Sequence, residues 1–272
     1  MSIKRETIAA RTAELLDAVR KARPLVHNIA NYVSMDVAAN ALLAIGASPA
    51  MVHAREEVAE FVGIAAALVI NIGTLSTSWV ESMIVAAQAA GKNGKPWVLD
   101  PVGAGATRLR TDTVKLLLPQ RPSIIRGNAS EIMAVAGGAG VAPKGVDTAN
   151  TTDEALAFAV SLARHEHCTV IATGAVDIVT DGERVVKLAN GSPAMTKVTA
   201  LGCALSAITG AFAAICPDRV EASVAAVAVY GIAGEMAADR TTRPGSYRVA
   251  FLDALEAIGA QDIADRLKIA VQ

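Results

Sequence analysis

Apolar residues recur at helical spacing near the start of the chain. Ile8, Leu15, Leu16 and Val19 share one face, and Pro24 stops the helix they predict over residues 5–21. Residues 25–29 read as a short strand, and residues 36–45 as a helix closed by Gly46. A strand over 49–52 and a helix over 55–62 follow. Residues 68–72 form a continuous apolar run of strand length, as expected where both faces of a strand are covered. The pattern then predicts a helix over 79–90 ending at Gly91, a strand over 96–100, a helix over 111–118, a strand over 123–125, and helices over 129–135 and 152–164. A strand over 169–172 comes next, and then the rhythm changes. Residues 177–180 and 184–188 flank Asp181-Gly182, a hairpin signal, and from Gly202 onward the chain is mostly helical.

Strands alternating with helices, with one late hairpin, imply an α/β fold of three layers: a mostly parallel central sheet with helices on both faces. No linker, repeat or low-complexity segment interrupts it, so residues 1–272 read as one domain. Composition refines this picture. Hydrophobic residues make up 53% and aromatic residues 3%, so the core is built from Ala, Val, Ile and Leu. Charged residues, at 19%, fall below the roughly 25% usual in soluble domains. That shortfall suggests surface buried in an oligomer. A net charge of −1 without a basic run gives no electrostatic case for nucleic acid. Residues 61–80 and 198–217 are uncharged for about the length of a membrane span. However, the first contains Asn71, Gly73 and Thr74 followed by Ser76, Thr77 and Ser78, and the second is rich in Ala, Gly, Thr and Ser. They read as strand–turn–helix and as loop plus buried helix, not as bilayer segments. Cys168, Cys203 and Cys216 show no CxxC spacing, and their odd number fits a reducing compartment. The charged, periodic N-terminus is unlike a signal peptide, so a cytoplasmic location is expected.

In sheets of this kind ligands bind beyond the carboxyl ends of the strands, and several polar motifs lie there. Asp100 ends a buried strand and leads into Pro101-Val102-Gly103-Ala104-Gly105-Ala106-Thr107, a loop whose glycines let backbone amides approach phosphate while the carboxylate holds Mg²⁺. An ordinary strand-to-helix turn explains it as well. Arg126-Gly127-Asn128-Ala129-Ser130-Glu131 offers a phosphate ligand in Arg126 and a second carboxylate in Glu131, or, more plainly, an Asn128 N-cap with a capping box. Thr173-Gly174 suits a phosphate or a turn. Cys203 directly follows Gly202 where a helix opens, so the unpaired amides of the first turn make an anion hole and are expected to lower the thiol's pKa. Cys168 and Cys216 read as inert structural thiols, and the histidines form no metal set.

Together these residues resemble the hydroxyethylthiazole kinase family of the ribokinase-like superfamily. The carriers are residues 24–33 (Pro-Leu-Val-His-Asn-Ile-Ala-Asn-Tyr-Val), 46–51 (Gly-Ala-Ser-Pro-Ala-Met), 100–106, 126–131 and Gly202-Cys203, in that order across nearly the whole chain. The resemblance implies transfer of the ATP γ-phosphate to the primary alcohol of 4-methyl-5-(2-hydroxyethyl)thiazole, in thiamine synthesis or salvage. It implies that Met51 contacts the thiazole with His27 and Asn28 nearby, that Arg126 and Thr173 contact ATP, and that Asp100 and Glu131 lie on the Mg²⁺ side. Cys203 would face the acceptor hydroxyl, where most of the superfamily carries aspartate. A homotrimer with the substrate site between subunits is implied likewise. One departure stands out: the family's Thr-Gly-x-Gly-Cys is here Thr199-Ala200-Leu201-Gly202-Cys203. Ala200 in the substrate loop tolerates positive φ poorly and adds a Cβ, so a displaced loop is expected. Competing readings are a thiol hydrolase using Cys203, which needs a histidine base; a hydroxymethylpyrimidine kinase or nucleotide-dependent hydrate dehydratase on the same fold; and a non-catalytic nucleotide-binding protein.

Overall fold

In the computed structural model, which describes residues 5–140 and 151–271, nine strands form one sheet. In chain order they are β1 (Leu25–Ile29), β2 (Ser48–Ala50), β3 (Ala67–Asn71), β4 (Trp97–Asp100), β5 (Ile124–Asn128), β6 (Thr169–Thr173), β7 (Asp177–Thr180), β8 (Val185–Leu188) and β9 (Ile269–Val271). Their spatial order is β2-β1-β3-β4-β5-β6-β7-β8-β9. The first six are parallel, and β7, β8 and β9 extend the sheet in antiparallel fashion. β1 continues to β2 on one side while β3 continues to β4 on the other. The carboxyl ends of β1 and β3 therefore flank a topological switch point, where a crevice opens in doubly wound sheets.

The helices are α1 (Arg5–Ala22), α2 (Met35–Ala44), α3 (Val58–Ile64), α4 (Thr77–Lys92), α5 (Arg108–Leu117), α6 (Ala129–Gly138), α7 (Thr151–Glu166), α8 (Leu201–Ile215), α9 (Arg219–Arg240), α10 (Pro244–Ala257) and α11 (Ala260–Arg266). Two apolar cores lie on opposite faces of the sheet. One packs Val26, Val69, Val98 and Ile124 against α1, α2 and α8–α11. The other packs Ile29, Ile70, Leu99 and Ile125 against α3–α7. Strand alternation assigns each side chain its face, since neighbours along a strand point oppositely. The apolar α9 is long enough to cross a bilayer, but 83% of its most apolar window is buried within the protein, so it serves as a core helix.

The three-layer expectation holds, with informative differences at element ends. β5 and β6 run on through Arg126 and Thr173, so both side chains project from strands instead of the turns beyond them. α4 passes through Gly91 and ends at Lys92, because helix ends are set by the Asn93–Gly94 turn, where Gly94 has φ 62°. The hairpin closes through residues 181–184, wider than the Asp181-Gly182 pair alone suggests. β9 was missed because a short final strand leaves no periodic signal. The predicted helix over 152–164 begins at the edge of the described residues and extends to Glu166.

Candidate active site at the carboxyl ends of the strands

Asn71 and Asp100 pair across the β3–β4 register, and Arg126 lies one step beyond the Leu99–Ile125 pair of β4 and β5. The parallel register thus sets three polar side chains in a row on the face covered by α8. All are buried: Asn71 3%, Asp100 0% and Arg126 8% exposed. Oδ2 of Asp100 accepts from Nδ2 of Asn71 at 2.6 Å and from Oγ of Ser206 at 2.8 Å. Its Oδ1 lies 3.9 Å from the Arg126 guanidinium and accepts no hydrogen bond among the described residues. Burial pushes the Asp100 carboxyl up to about 6, against the downward pull of Arg126. The other end of Arg126 donates to Oγ1 of Thr173 at 2.9 Å, so the two expected ATP contacts touch each other.

α8 brings Cys203 to this row. Helices α4, α5, α6 and α9 open under side-chain caps from Ser76, Thr107, Asn128 and Asp218. α8 opens at Ala200, which has no side chain to offer, and the amides of its first turn are left for a ligand. A Cβ built on Gly202 would sit 3.0 Å from Nη1 of Arg126, so glycine allows the guanidinium to lie against the helix start. Cys203, the next residue, is half-buried, and Nδ2 of Asn31 donates to its sulfur at 3.4 Å. The thiol therefore belongs to the same polar cluster as Asp100 and Arg126. Its acidity departs from the sequence expectation. Burial pushes the thiol up, and Asp100 adds to this, outweighing the donors from Asn71 and Asn31 and the charge of Arg126. The direction is opposite to the low pKa expected, because desolvation of the thiol dominates.

Glu131 joins two roles that the sequence left open. Asn128 caps α6, and the box is complete: Asn128 Oδ1 accepts from the Glu131 amide at 2.9 Å, and Glu131 Oε2 accepts from the Asn128 amide at 2.8 Å. Oε1 accepts from the Gly103 amide at 2.8 Å, which ties the loop after β4 to α6. Arg110, which the sequence reading did not single out, clamps the neighbouring loops by donating to the carbonyls of Ile72, Val102 and Gly73 at 2.6–2.8 Å. Among the described residues no three His, Cys, Asp or Glu side chains form a metal cage. The unpaired, buried Oδ1 of Asp100 nevertheless suits Mg²⁺, which keeps waters and phosphate oxygens and needs only one or two carboxylates. Glu131 has both oxygens engaged by amides, so its remaining lone pairs suit an outer, water-bridged place.

The expected substrate residues separate. Met51 and Ala200 are half-buried against the α8-side core, and Asn28 points to the same face, its Nδ2 donating to Val26 O at 2.9 Å. His27 points to the opposite face. Its Nε2 bonds Val52 O at 2.8 Å, its ring stands edge-on to Phe61, and burial lowers its pKa. Strand alternation thus turns His27 away from the face that carries Asn28, Met51 and Ala200. Ala200 has φ 66° and ψ 1°, the left-handed conformation anticipated for the glycine it replaces. The alanine keeps that backbone geometry at the cost of strain and a methyl group. Ala200→Gly is expected to raise stability by ~1 kcal/mol and Tm by ~2–4 °C, and to change the acceptor KM or kcat, as scanning calorimetry and steady-state kinetics would show. Acceptor constants identical to those of the parent would mean that the methyl does not reach the acceptor. Cys168 and Cys216 are buried free thiols, as expected.

Comparisons with known proteins agree with this architecture. A chain from Pyrococcus horikoshii OT3 described as hydroxyethylthiazole kinase superposes with a TM-score of 0.90 at 42% identity, covering 95% of this chain and 98% of that one. Staphylococcus aureus pyridoxal kinase shares the fold alone, with a TM-score of 0.61 at 15% identity over 78% of this chain and 88% of that one. Among curated relatives, the hydroxyethylthiazole kinase of Rhizobium etli is 53% identical over 258 residues, 94% of this chain and all of that protein. That of Cereibacter sphaeroides is 54% identical over 257 residues, 94% of this chain and 97% of that protein. The model of the Hydroxyethylthiazole kinase family matches residues 16–261, and with these relatives it shows that the chain belongs to that family.

Proposed function

We propose that this chain transfers the γ-phosphoryl group of ATP to the primary hydroxyl of 4-methyl-5-(2-hydroxyethyl)thiazole, giving the phosphate used in thiamine synthesis or salvage. The observation that carries the reading is the meeting of Cys203, the uncapped start of α8, Arg126 and Asp100 in one cluster. In the transfer, the bond from the β–γ bridging oxygen to phosphorus breaks, the alcohol oxygen takes its place, and the alcohol proton is released. Such transfers have loose transition states, so positioning and charge neutralisation dominate. The amides of Leu201, Gly202 and Cys203 and the Arg126 guanidinium bind the transferring phosphoryl oxygens. Thr173 fixes Arg126, and Cys203 holds the acceptor hydroxyl. Mg²⁺, when bound, would supply neutralisation of phosphate charge. Asp100 would hold it on the side of its unpaired Oδ1, with Glu131 as the second carboxylate, which also ties the Gly103 loop to α6. Met51, Asn28 and Ala200 line the thiazole side.

The same reading makes residues 1–272 one kinase domain acting in the cytoplasm, assembled as a homotrimer whose neighbouring subunit completes the thiazole site. The low charge content and the exposure of Tyr32 (69%), directly after Asn31, support a partner surface beside the site. A coupled ADP-release assay across thiazole and pyrimidine alcohols, with and without Mg²⁺, tests the activity. Turnover with the thiazole alcohol that needs Mg²⁺ is the expected result. Preference for a hydroxymethylpyrimidine, ADP release with a hydrated dinucleotide, or ATP-independent turnover would replace it with a competing reading.

A further inference from the structure

Two side-chain amides connect the thiol to the carboxylate, and their orientation is fixed. Asn31 follows β1 at the switch point, and Asn71 ends β3; they are 4% and 3% exposed. Oδ1 of Asn31 accepts from the backbone amides of Val33 and Ser34, each at 3.0 Å. Its Nδ2 therefore faces the other way, donating to Oδ1 of Asn71 at 2.7 Å and to Sγ of Cys203 at 3.4 Å. Oδ1 of Asn71 also accepts from the Gly73 amide at 2.9 Å, which turns its own Nδ2 toward Asp100. Flipping either amide would set donor against donor, since a carboxamide carries acceptors on one atom and donors on the other. The turn is shaped for this contact: a Cβ on Gly73 would lie 2.4 Å from Nδ2 of Asn31. Backbone donors in two separate turns thus dictate where each amide aims, and the aims are the thiol and the metal-side carboxylate.

We infer that Asn31 and Asn71 are positioning residues: Asn31 holds Cys203 by donating to its sulfur, and Asn71 couples that contact to the orientation of Asp100. This rests on the kinase reading for its consequence, whereas the contact itself does not. The arrangement gives Asn31 two separable jobs, a turn cap through Oδ1 and a thiol contact through Nδ2. Asn31→Asp keeps an acceptor for Val33 and Ser34 and removes the donor to sulfur, while Asn31→Ala removes both.

The test compares both variants with wild type, alone and in a Cys203→Ala background. Asn31→Asp is expected to remain folded but to melt below wild type, since it sets a carboxylate oxygen against Oδ1 of Asn71, to lower kcat by about tenfold or more, and to leave the ATP KM within about twofold. In the Cys203→Ala background the same substitution is expected to have little further effect on kcat, because a residue acting through the thiol has nothing left to hold. Full additivity of the two losses, or wild-type kcat in Asn31→Asp, would overturn the inference and leave Asn31 as a turn cap only. Alkylation of Cys203 by iodoacetamide, located by peptide mass, is read in parallel without substrate. A changed rate in Asn31→Asp supports the contact even if the wild type fails to phosphorylate the thiazole alcohol, and an unchanged rate counts against it. Failure of the kinase reading and failure of this one therefore give different results.

Discussion

Asp100→Asn is expected to lower kcat by about 10³-fold while the protein remains folded, and Asp100→Ala to lose both activity and several kcal/mol of stability. The activity loss is of the size seen when one group that stabilises developing charge is removed from a dry site. The stability loss of the alanine variant comes from what it strands. Arg126, only 8% exposed, would lose its counter-charge, and the donors of Asn71 and Ser206 would lose their acceptor. Breaking a buried ion pair from one side costs ~3–5 kcal/mol. Asparagine keeps its one oxygen for the Asn71 and Ser206 donors but turns its NH2 toward the guanidinium, so its cost is smaller than that of alanine without vanishing. The pH dependence separates the two roles of the carboxylate further. Its folded pKa, near 6, lies above the ordinary carboxyl value because of burial. A group raised in this way contributes stability that is present below its unfolded pKa and lost as pH rises through the folded one. The free enzyme should therefore gain stability from Asp100 as pH falls through about 6, with Asp177, also held near 6 by burial, adding in the same direction. On the proposed mechanism the ionised form is the active one, so activity should fall across the same window. The difference in Tm between wild type and Asp100→Asn, followed from about pH 8 to about pH 5, is the measurement. Parallel curves would mean that Asp100 does not titrate there.

The sheet was legible in the sequence because buried parallel strands leave short apolar runs between helical periods, and the runs at 25–29, 68–72 and 96–100 mark β1, β3 and β4 to within a residue or so. The ends of those runs also carried a polar cluster: Asp100, Arg126, Thr173 and Cys203 lie together after buried strands and at the start of an apolar helix. What did not show was anything set by register or by turn geometry. Asn31 and Asn71 look like ordinary turn residues, and only the adjacency of β1 and β3 makes them partners. Ser206 lies in an uncharged helix and becomes an Asp100 ligand because α8 crosses that strand end. His27 shows the limit of a motif, which names neighbours while a strand sends them to opposite faces. The thiol's acidity was misjudged because a sequence reveals a helix N-terminus but not how much water reaches it.

Cys203→Ala is expected to lower kcat by ~10²-fold or more with little change in ATP KM, and Cys203→Asp to keep substantial activity. On the proposed mechanism alanine leaves the amides of the helix start and Arg126 to bind phosphate, so nucleotide affinity stays, whereas the acceptor hydroxyl loses its partner. Aspartate supplies an acceptor of similar reach at the same helix start. The raised thiol pKa sharpens the comparison. Near neutrality the wild-type sulfur carries its proton, and a protonated thiol orients a hydroxyl but does not take its proton. If proton removal by the thiolate limits transfer, the single-turnover rate should climb about tenfold per pH unit on the alkaline side, following the thiolate fraction. The Cys203→Asp variant, already ionised there, should be flat over that range. Its acid limb should lie above that of an ordinary aspartate, because the new carboxyl shares the cluster with buried Asp100. A flat wild-type profile with a slow Cys203→Ala variant assigns the sulfur to orientation alone, with the proton leaving after the phosphoryl group has moved. An alanine variant as fast as wild type would take the residue out of the mechanism. The amides and Arg126 would then carry the catalysis, and the alcohol would be held by the thiazole contacts.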